Sequence, residues 1–131
     1  MEILYQIHPY ELDQFCESNP KIYQICQDEY FLRKYLKIYK IQGSLSEKIQ
    51  NSIYYRSILL LDYLVTTNDI SVLSDINKAH IFGTAGFIGN INIITYLMDH
   101  IPYDKRLYRV LHSMIELHSN INNKELIRIV I

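Results

Sequence analysis

Tryptophan is missing from the 131 residues, and alanine occurs only twice. There are four glycines, three prolines and two cysteines. Each shortage excludes something. So little glycine and proline rules out a collagen-like chain or a low-complexity linker. Cys16 and Cys26 lack the CxxC spacing of a zinc ribbon or thioredoxin-type motif. The expectation is a reducing compartment with both thiols buried as small hydrophobes, a disulfide between them being the alternative. Long apolar runs are also wanting. The longest, Ile58-Leu59-Leu60-Leu61, is far short of the ~20 residues of a membrane-spanning helix. The start, Met1-Glu2-Ile3-Leu4-Tyr5-Gln6, has neither the basic opening nor the apolar stretch of a secretory leader. A cytoplasmic protein that does not meet a membrane is therefore expected.

No charge of one sign dominates, since 13 basic and 14 acidic residues leave a formal charge of -1. General nucleic-acid binders carry a basic excess, so no nucleic-acid partner is expected. The basic stretch from Arg33 to Lys40 reads as a solvated helix face. Hydrophobic residues at 49% and charged residues at 21% describe a globular chain of one domain's length. Abundance lies in isoleucine (22), tyrosine (12) and asparagine (9). A helical protein free to choose would use more alanine, so this bias points to an AT-rich genome.

Apolar spacing of three and four dominates, and no strand-like alternation is sustained, so the whole chain reads as helical. Met1 to Ile7 has an apolar edge of Ile3, Leu4 and Ile7. Pro9 suits the first turn of a helix running to Cys16, with Leu12, Phe15 and Cys16 inward. Ser18-Asn19-Pro20 opens a third helix carrying Ile22, Ile25 and Cys26. Asp28 caps a fourth, with Phe31, Leu32, Tyr35, Leu36 and Tyr39 on one face. Gly43 is expected to end that helix in a left-handed conformation. Ser44 and Glu47 have capping-box spacing. The helix after them runs toward Val65, either unbroken or bent near Arg56. Thr66-Thr67-Asn68-Asp69 ends it and caps a further helix over Ile70 to Ile76.

Self-comparison at a shift of 33 residues brings three segments together. They are Leu60-Leu61-Asp62-Tyr63-Leu64, Ile93-Ile94-Thr95-Tyr96-Leu97 and the stretch Asn122 to Val130. The best copy spans Ala79 to Asp99. Small residues at Gly83, Ala85 and Gly86 allow two antiparallel helices to approach closely. Gly89 permits a left-handed turn, Asn90 caps the second helix, and Ile91, Ile94, Leu97 and Met98 form its buried face. With its turn Gly89-Asn90-Ile91-Asn92-Ile93-Ile94-Thr95-Tyr96-Leu97, this region resembles the ankyrin-repeat family, whose period is 33. The "T-P-L-H" helix start of that family is absent, and Arg56 and Asn122 stand where outer repeats would have glycine. The N-terminal part, with Glu2-Ile3-Leu4, Glu11-Leu12, Phe15-Cys16, Ile25-Cys26 and Asp28 to Leu36, resembles a shortened F-box. Heads of this kind before ankyrin repeats occur in large DNA viruses.

These resemblances imply an all-α fold, with helical hairpins stacked as a short ankyrin-like solenoid behind a three- or four-helix F-box-like head. The expected division is a head at 1–42 and helix pairs at 43–131, packed as one folding unit. The implied function is a non-catalytic protein-binding adaptor, acting in the host cytoplasm if viral. Alternatives are a substrate-recruiting subunit of a ubiquitin ligase, a structural or virion protein, and a small hydrolase or transferase of unfamiliar site.

No catalytic, cofactor-binding or metal-ligating residue is expected. The glycine-rich run Gly83 to Gly89 is neither GxGxxG nor a P-loop. His112 and Glu116 share a helix face, while His118 lies ~160° round from Glu116, which leaves two ligands where structural zinc needs four. Asp99, His100 and Asp104 match no acid–base motif. Cys16 and Cys26 occupy apolar-face positions unsuited to a nucleophile. The candidate interface is Tyr54, Tyr55, Phe87, Tyr103, Tyr108, Ile129 and Ile131, because tyrosine gives large contact area at low entropic cost. Leu126 to Ile131 ends apolar without a polar capping repeat. The N-terminal helices, a partner, or a second copy forming a homodimer would cover it.

Overall fold

The computed structural model describes residues 3–118, and their regular structure is all helical, with no strand among the described residues. Two compact units divide the chain, one ending at Asp69 and the other beginning at Ile70. The expected division at 42/43 falls within the first unit.

The first unit opens on a 3₁₀ turn, Leu4–Gln6, instead of the helix expected over Met1 to Ile7. Only Leu4 is buried there, and Ile3 stands in solvent. Helix α1 (Pro9–Glu17) starts with proline in its first turn, where the missing N–H costs nothing. Helices α2 (Pro20–Cys26) and α3 (Glu29–Ile38) are capped by the side chains of Asn19 and Asp28. Leu12, Cys16, Cys26, Phe31, Leu32 and Tyr35 form the interior of this part. Cys16 and Cys26 are joined in a disulfide, with Cα atoms 6.1 Å apart. The expectation of two buried thiols is corrected: both side chains do face inward, but the packing of α1 on α2 brings them together.

Helix α3 does not wait for Gly43 to end it. Lys40 takes the left-handed conformation, φ 56°, and the Ile41 amide donates to the Leu36 carbonyl while the Lys40 amide donates to that of Lys37. This is a Schellman stop, completed by burial of Ile41 near Leu36. Gly43 forms a separate bend at φ 105°. Ser44 then caps α4 (Leu45–Tyr54) by accepting the Glu47 amide, and its hydroxyl donates to the Glu47 carboxylate.

The helix between 45 and 65 is split. Helix α4 stops in the same way as α3, with Arg56 at φ 57° and the Ser57 amide on the Ser52 carbonyl. Left-handed backbone costs a non-glycine residue about 1–2 kcal/mol, part of which a cation at a helix C-terminus offsets by ~0.3–1 kcal/mol. Helix α5 (Ile58–Thr67) follows at once. It holds the longest apolar run and buries Leu60, Leu61, Leu64 and Val65 against α1, α3 and α4.

The second unit begins with a 3₁₀ turn, Ile70–Val72, where a helix reaching Ile76 was expected. Ser74 caps α6 (Asp75–Ile88), which ends on left-handed Gly89 at φ 69°. Asn90 caps α7 (Ile91–His100) through the Ile93 amide. Both roles agree with the sequence. Ile94 and Leu97 are buried as expected, joined by Ile93, while Ile91 and Met98 are half-buried. Helix α8 (Lys105–His118) contributes Leu107, Leu111 and Ile115 to the interior. Gly83 and Gly86 of α6 face α8. A Cβ on Gly86 would lie 2.6 Å from Met114 Cβ and 2.8 Å from the Leu111 carbonyl oxygen. The close approach is real, but the 33-residue register named the wrong partner helix.

Candidate functional site

The first unit concentrates aromatic side chains where α3 and α4 end. The segment before α1 lies along α3, held by phenol hydroxyls. Tyr35 donates to the Ile7 carbonyl at 2.6 Å, and Tyr39 donates to that of Tyr5 at 2.7 Å. Burial pushes both phenols above their ordinary pKa, so both stay neutral donors. The Tyr5 ring stacks on Phe31 at 5.1 Å and carries the Lys34 ammonium 5.0 Å from its centroid. The Tyr5 hydroxyl is buried without a hydrogen-bond partner among the described residues.

His8 is the hub of the outer ring cluster. Its Nδ1 accepts the Tyr10 amide and caps α1. Its ring stacks on Tyr10 at 5.0 Å and meets Tyr39 at 6.2 Å and Tyr55 at 5.7 Å edge-on. Tyr10 and Tyr55 touch edge to face at 5.1 Å, and Tyr54 stands beside Tyr55. Such pairs contribute about 0.5–1.5 kcal/mol each beyond burial, so these rings hold one another in place. Tyr54 is 51% exposed and Tyr10 49%.

Beneath the cluster, Asp13 reaches from α1 to the start of α5. Its carboxylate accepts the Ser57 hydroxyl and the Leu59 amide. Burial raises its pKa above the ordinary value, and the bonds from Ser57 and Leu59 oppose that rise. Its position is that of a structural cap; both oxygens are occupied within the fold.

The second unit has a shallow apolar hollow of about 210 Å³. Ile76, Ala79, Leu107 and Val110 line it, with Asp75, Asp104 and Arg106 at its rim. The Arg106 guanidinium sits 3.4 Å from Asp104 and 3.7 Å from Asp75. The Arg106 amide, 2.9 Å from the Asp104 carboxylate, is the main cause holding that carboxyl below its usual range.

The candidate interface residues separate accordingly. Tyr54 and Tyr55 belong to the aromatic cluster of the first unit. In the second unit Tyr103, 71% exposed, packs edge-on against half-buried Tyr108 at 4.7 Å. Phe87 is half exposed near the end of α6. Ile129 and Ile131 lie outside the described residues. His8, Tyr10 and Tyr39 were missed as surface candidates. No local signal marked them, since Lys40 and Arg56, which follow Tyr39 and Tyr55, are not residue types that announce a helix stop. Gly83 and Gly86 lie inside α6 and form no loop that could cradle a phosphate. His112 and Glu116 are 3.5 Å apart. No group of three His, Cys, Asp or Glu is placed to hold a metal among the described residues. No helix among them is long and apolar enough to cross a membrane.

Compared with protein-family models, curated proteins and solved structures, the chain matches none.

Proposed function

We propose that the chain is a non-catalytic protein–protein interaction module, an adaptor whose helix pairs descend from ankyrin-like repeats. One observation carries this reading. Large tyrosines stand in solvent while fixed by neighbouring rings, Tyr10 and Tyr54 in the first unit and Tyr103 in the second. A monomer gains little by ordering an exposed aromatic side chain, whereas an interface gains a pre-ordered anchor. Photo-crosslinking residues placed at Tyr54 and Tyr103 test it. A discrete crosslinked partner is expected from these positions and not from exposed Lys21. Equal or absent crosslinking at all three would remove the reading.

A second reading is a substrate-recruiting subunit of a ubiquitin ligase. Three short helices, α1 to α3, occupy the span that resembles the F-box. Capture of the ligase adaptor by the purified chain tests it, and no capture ends it. A homodimer through the C-terminal segment is also proposed, and light scattering at high concentration decides it. The proposed compartment is the cytoplasm, of a host cell if the chain is viral. The Cys16–Cys26 bond favours an oxidising compartment instead, because persistent disulfides are rare in the cytoplasm. Trapping free thiols before lysis, then weighing the protein, distinguishes the two.

A further inference from the structure

We infer that the aromatic and basic face where α3 and α4 end docks an acidic segment of a partner protein. The inference rests on the interaction reading above and names the partner's chemistry.

Two helix ends converge on one imidazole, since His8 meets both Tyr39 and Tyr55. Each of those tyrosines is followed by an exposed cation in left-handed backbone, Lys40 at φ 56° and Arg56 at φ 57°. Glycine adopts that conformation without strain, and the chain does use Gly89 to end α6. At the two helix ends beside the aromatic cluster it keeps a cation in spite of the strain. A third cation, Lys34, lies over Tyr5, whose carbonyl receives the Tyr39 hydroxyl. No ion pair holds Lys34, Lys40 or Arg56 among the described residues. The nearby carboxylates have partners within the fold: Asp13 faces Ser57 and Leu59, Glu29 pairs with Arg33, and Glu47 takes the Ser44 hydroxyl, while Glu11 follows Tyr10 in the chain.

The ring geometry selects among anionic partners. Nucleic-acid bases need open ring faces on which to stack. Here Tyr10 and His8 cover one another, 5.0 Å apart and 11° from parallel, and the Tyr10–Tyr55 and Tyr54–Tyr55 pairs meet edge to face. Those contacts interrupt a continuous stacking platform and set ring edges, which carry partial positive charge, beside the cations. That combination suits carboxylates on a polypeptide.

The test is selection from a random dodecapeptide display library on the immobilised full chain, followed by anisotropy with the enriched peptides. Peptides rich in Asp and Glu are expected, binding more weakly as salt rises. Lys40→Gly and Arg56→Gly should each weaken binding about fivefold, as befits loss of one exposed charge pair. Because glycine relieves the backbone, both variants should melt at or above the wild-type temperature, which separates lost binding from lost folding. Enrichment of neutral or basic peptides, or acidic peptides unmoved by either substitution, would overturn the inference. So would tighter binding of oligo(dT) at the same face. If the selected peptides instead depend on Tyr103, the interaction reading survives without this one. If nothing is selected and the crosslinks at Tyr54 and Tyr103 are blank, both fall.

Discussion

Gly83 and Gly86 sit one helical turn apart in α6, and alanine at the two positions should act in opposite directions. At Gly83 the added methyl meets only Val110 Cγ1, at 3.7 Å, an ordinary contact. At Gly86 it meets Met114 Cβ at 2.6 Å and the Leu111 carbonyl oxygen at 2.8 Å. Carbon atoms rest at about 3.5–4.0 Å, so α6 and α8 must separate by roughly 1 Å. Neither clashing atom is the far end of a flexible side chain that could swing away. Overpacking of this kind costs about 1–3 kcal/mol. Alanine in place of glycine inside a helix returns about 0.8–1 kcal/mol at either site. That gain is common to both variants and cancels when they are compared. Gly83→Ala should therefore exceed Gly86→Ala in stability by about 1–3 kcal/mol. In a small domain this is a difference of at least about 4 °C in melting temperature. Thermal melts of the full chain followed by circular dichroism measure it. Equal shifts for the two variants would refute the close α6–α8 approach, and with it the assignment of α8 as the partner of α6.

Other consequences can be checked on the same purified protein. The Cys16–Cys26 bond closes a loop with a sequence separation of 10, so its reduction should cost slightly less than the ~3 kcal/mol of a 15-residue loop. Urea midpoints with and without reductant measure this, and an oxidised mass equal to the reduced mass would show that no bond forms. Tyr35→Phe should cost about 1–3 kcal/mol by stranding the Ile7 carbonyl. Tyr5→Phe should cost little in urea denaturation, since the Tyr5 hydroxyl has no partner to lose. Asp13 has a folded pKa raised by burial, so between its unfolded and folded values the native state holds the proton that the unfolded state has released. Stability from this group is then greatest at low pH and falls as pH rises through that interval. Asp13→Asn should lack this component, so wild type minus variant should decrease from acid toward neutral pH in denaturation series. A difference that increases would reverse the assigned sign.

Local rules made much of the fold legible. Pro9, Asp28, Ser44, Gly89 and Asn90 act where their own chemistry places them, because caps and left-handed turns depend on a few neighbouring residues. What failed was non-local. Lys40 and Arg56 stop helices although neither is a residue type that announces a stop. Their conformation is imposed by the burial of Ile41 and by Ser57, which serves α5. The disulfide could not be read from two cysteines on inward faces, since pairing depends on how α1 packs on α2. The partner of Gly86 was misjudged because the 33-residue register emphasised α7, whereas the amphipathic helix behind it, α8, fills the space. The aromatic cluster was half legible: Tyr54 and Tyr55 drew attention as a pair, but only the course of residues 5–8 along α3 brings His8, Tyr10 and Tyr39 to join them.

The link between Asp13 and Leu59 bears on how this chain could be shortened. An amide in the opening turn of the most apolar helix is satisfied by a carboxylate 46 positions upstream. Deleting α1 would thus leave α5 with a bare donor and part of its apolar side uncovered. The first unit is indivisible in this sense: a truncation that discards residues before Ser44 keeps both α4 and α5 in the gene yet should lose the means to build them together.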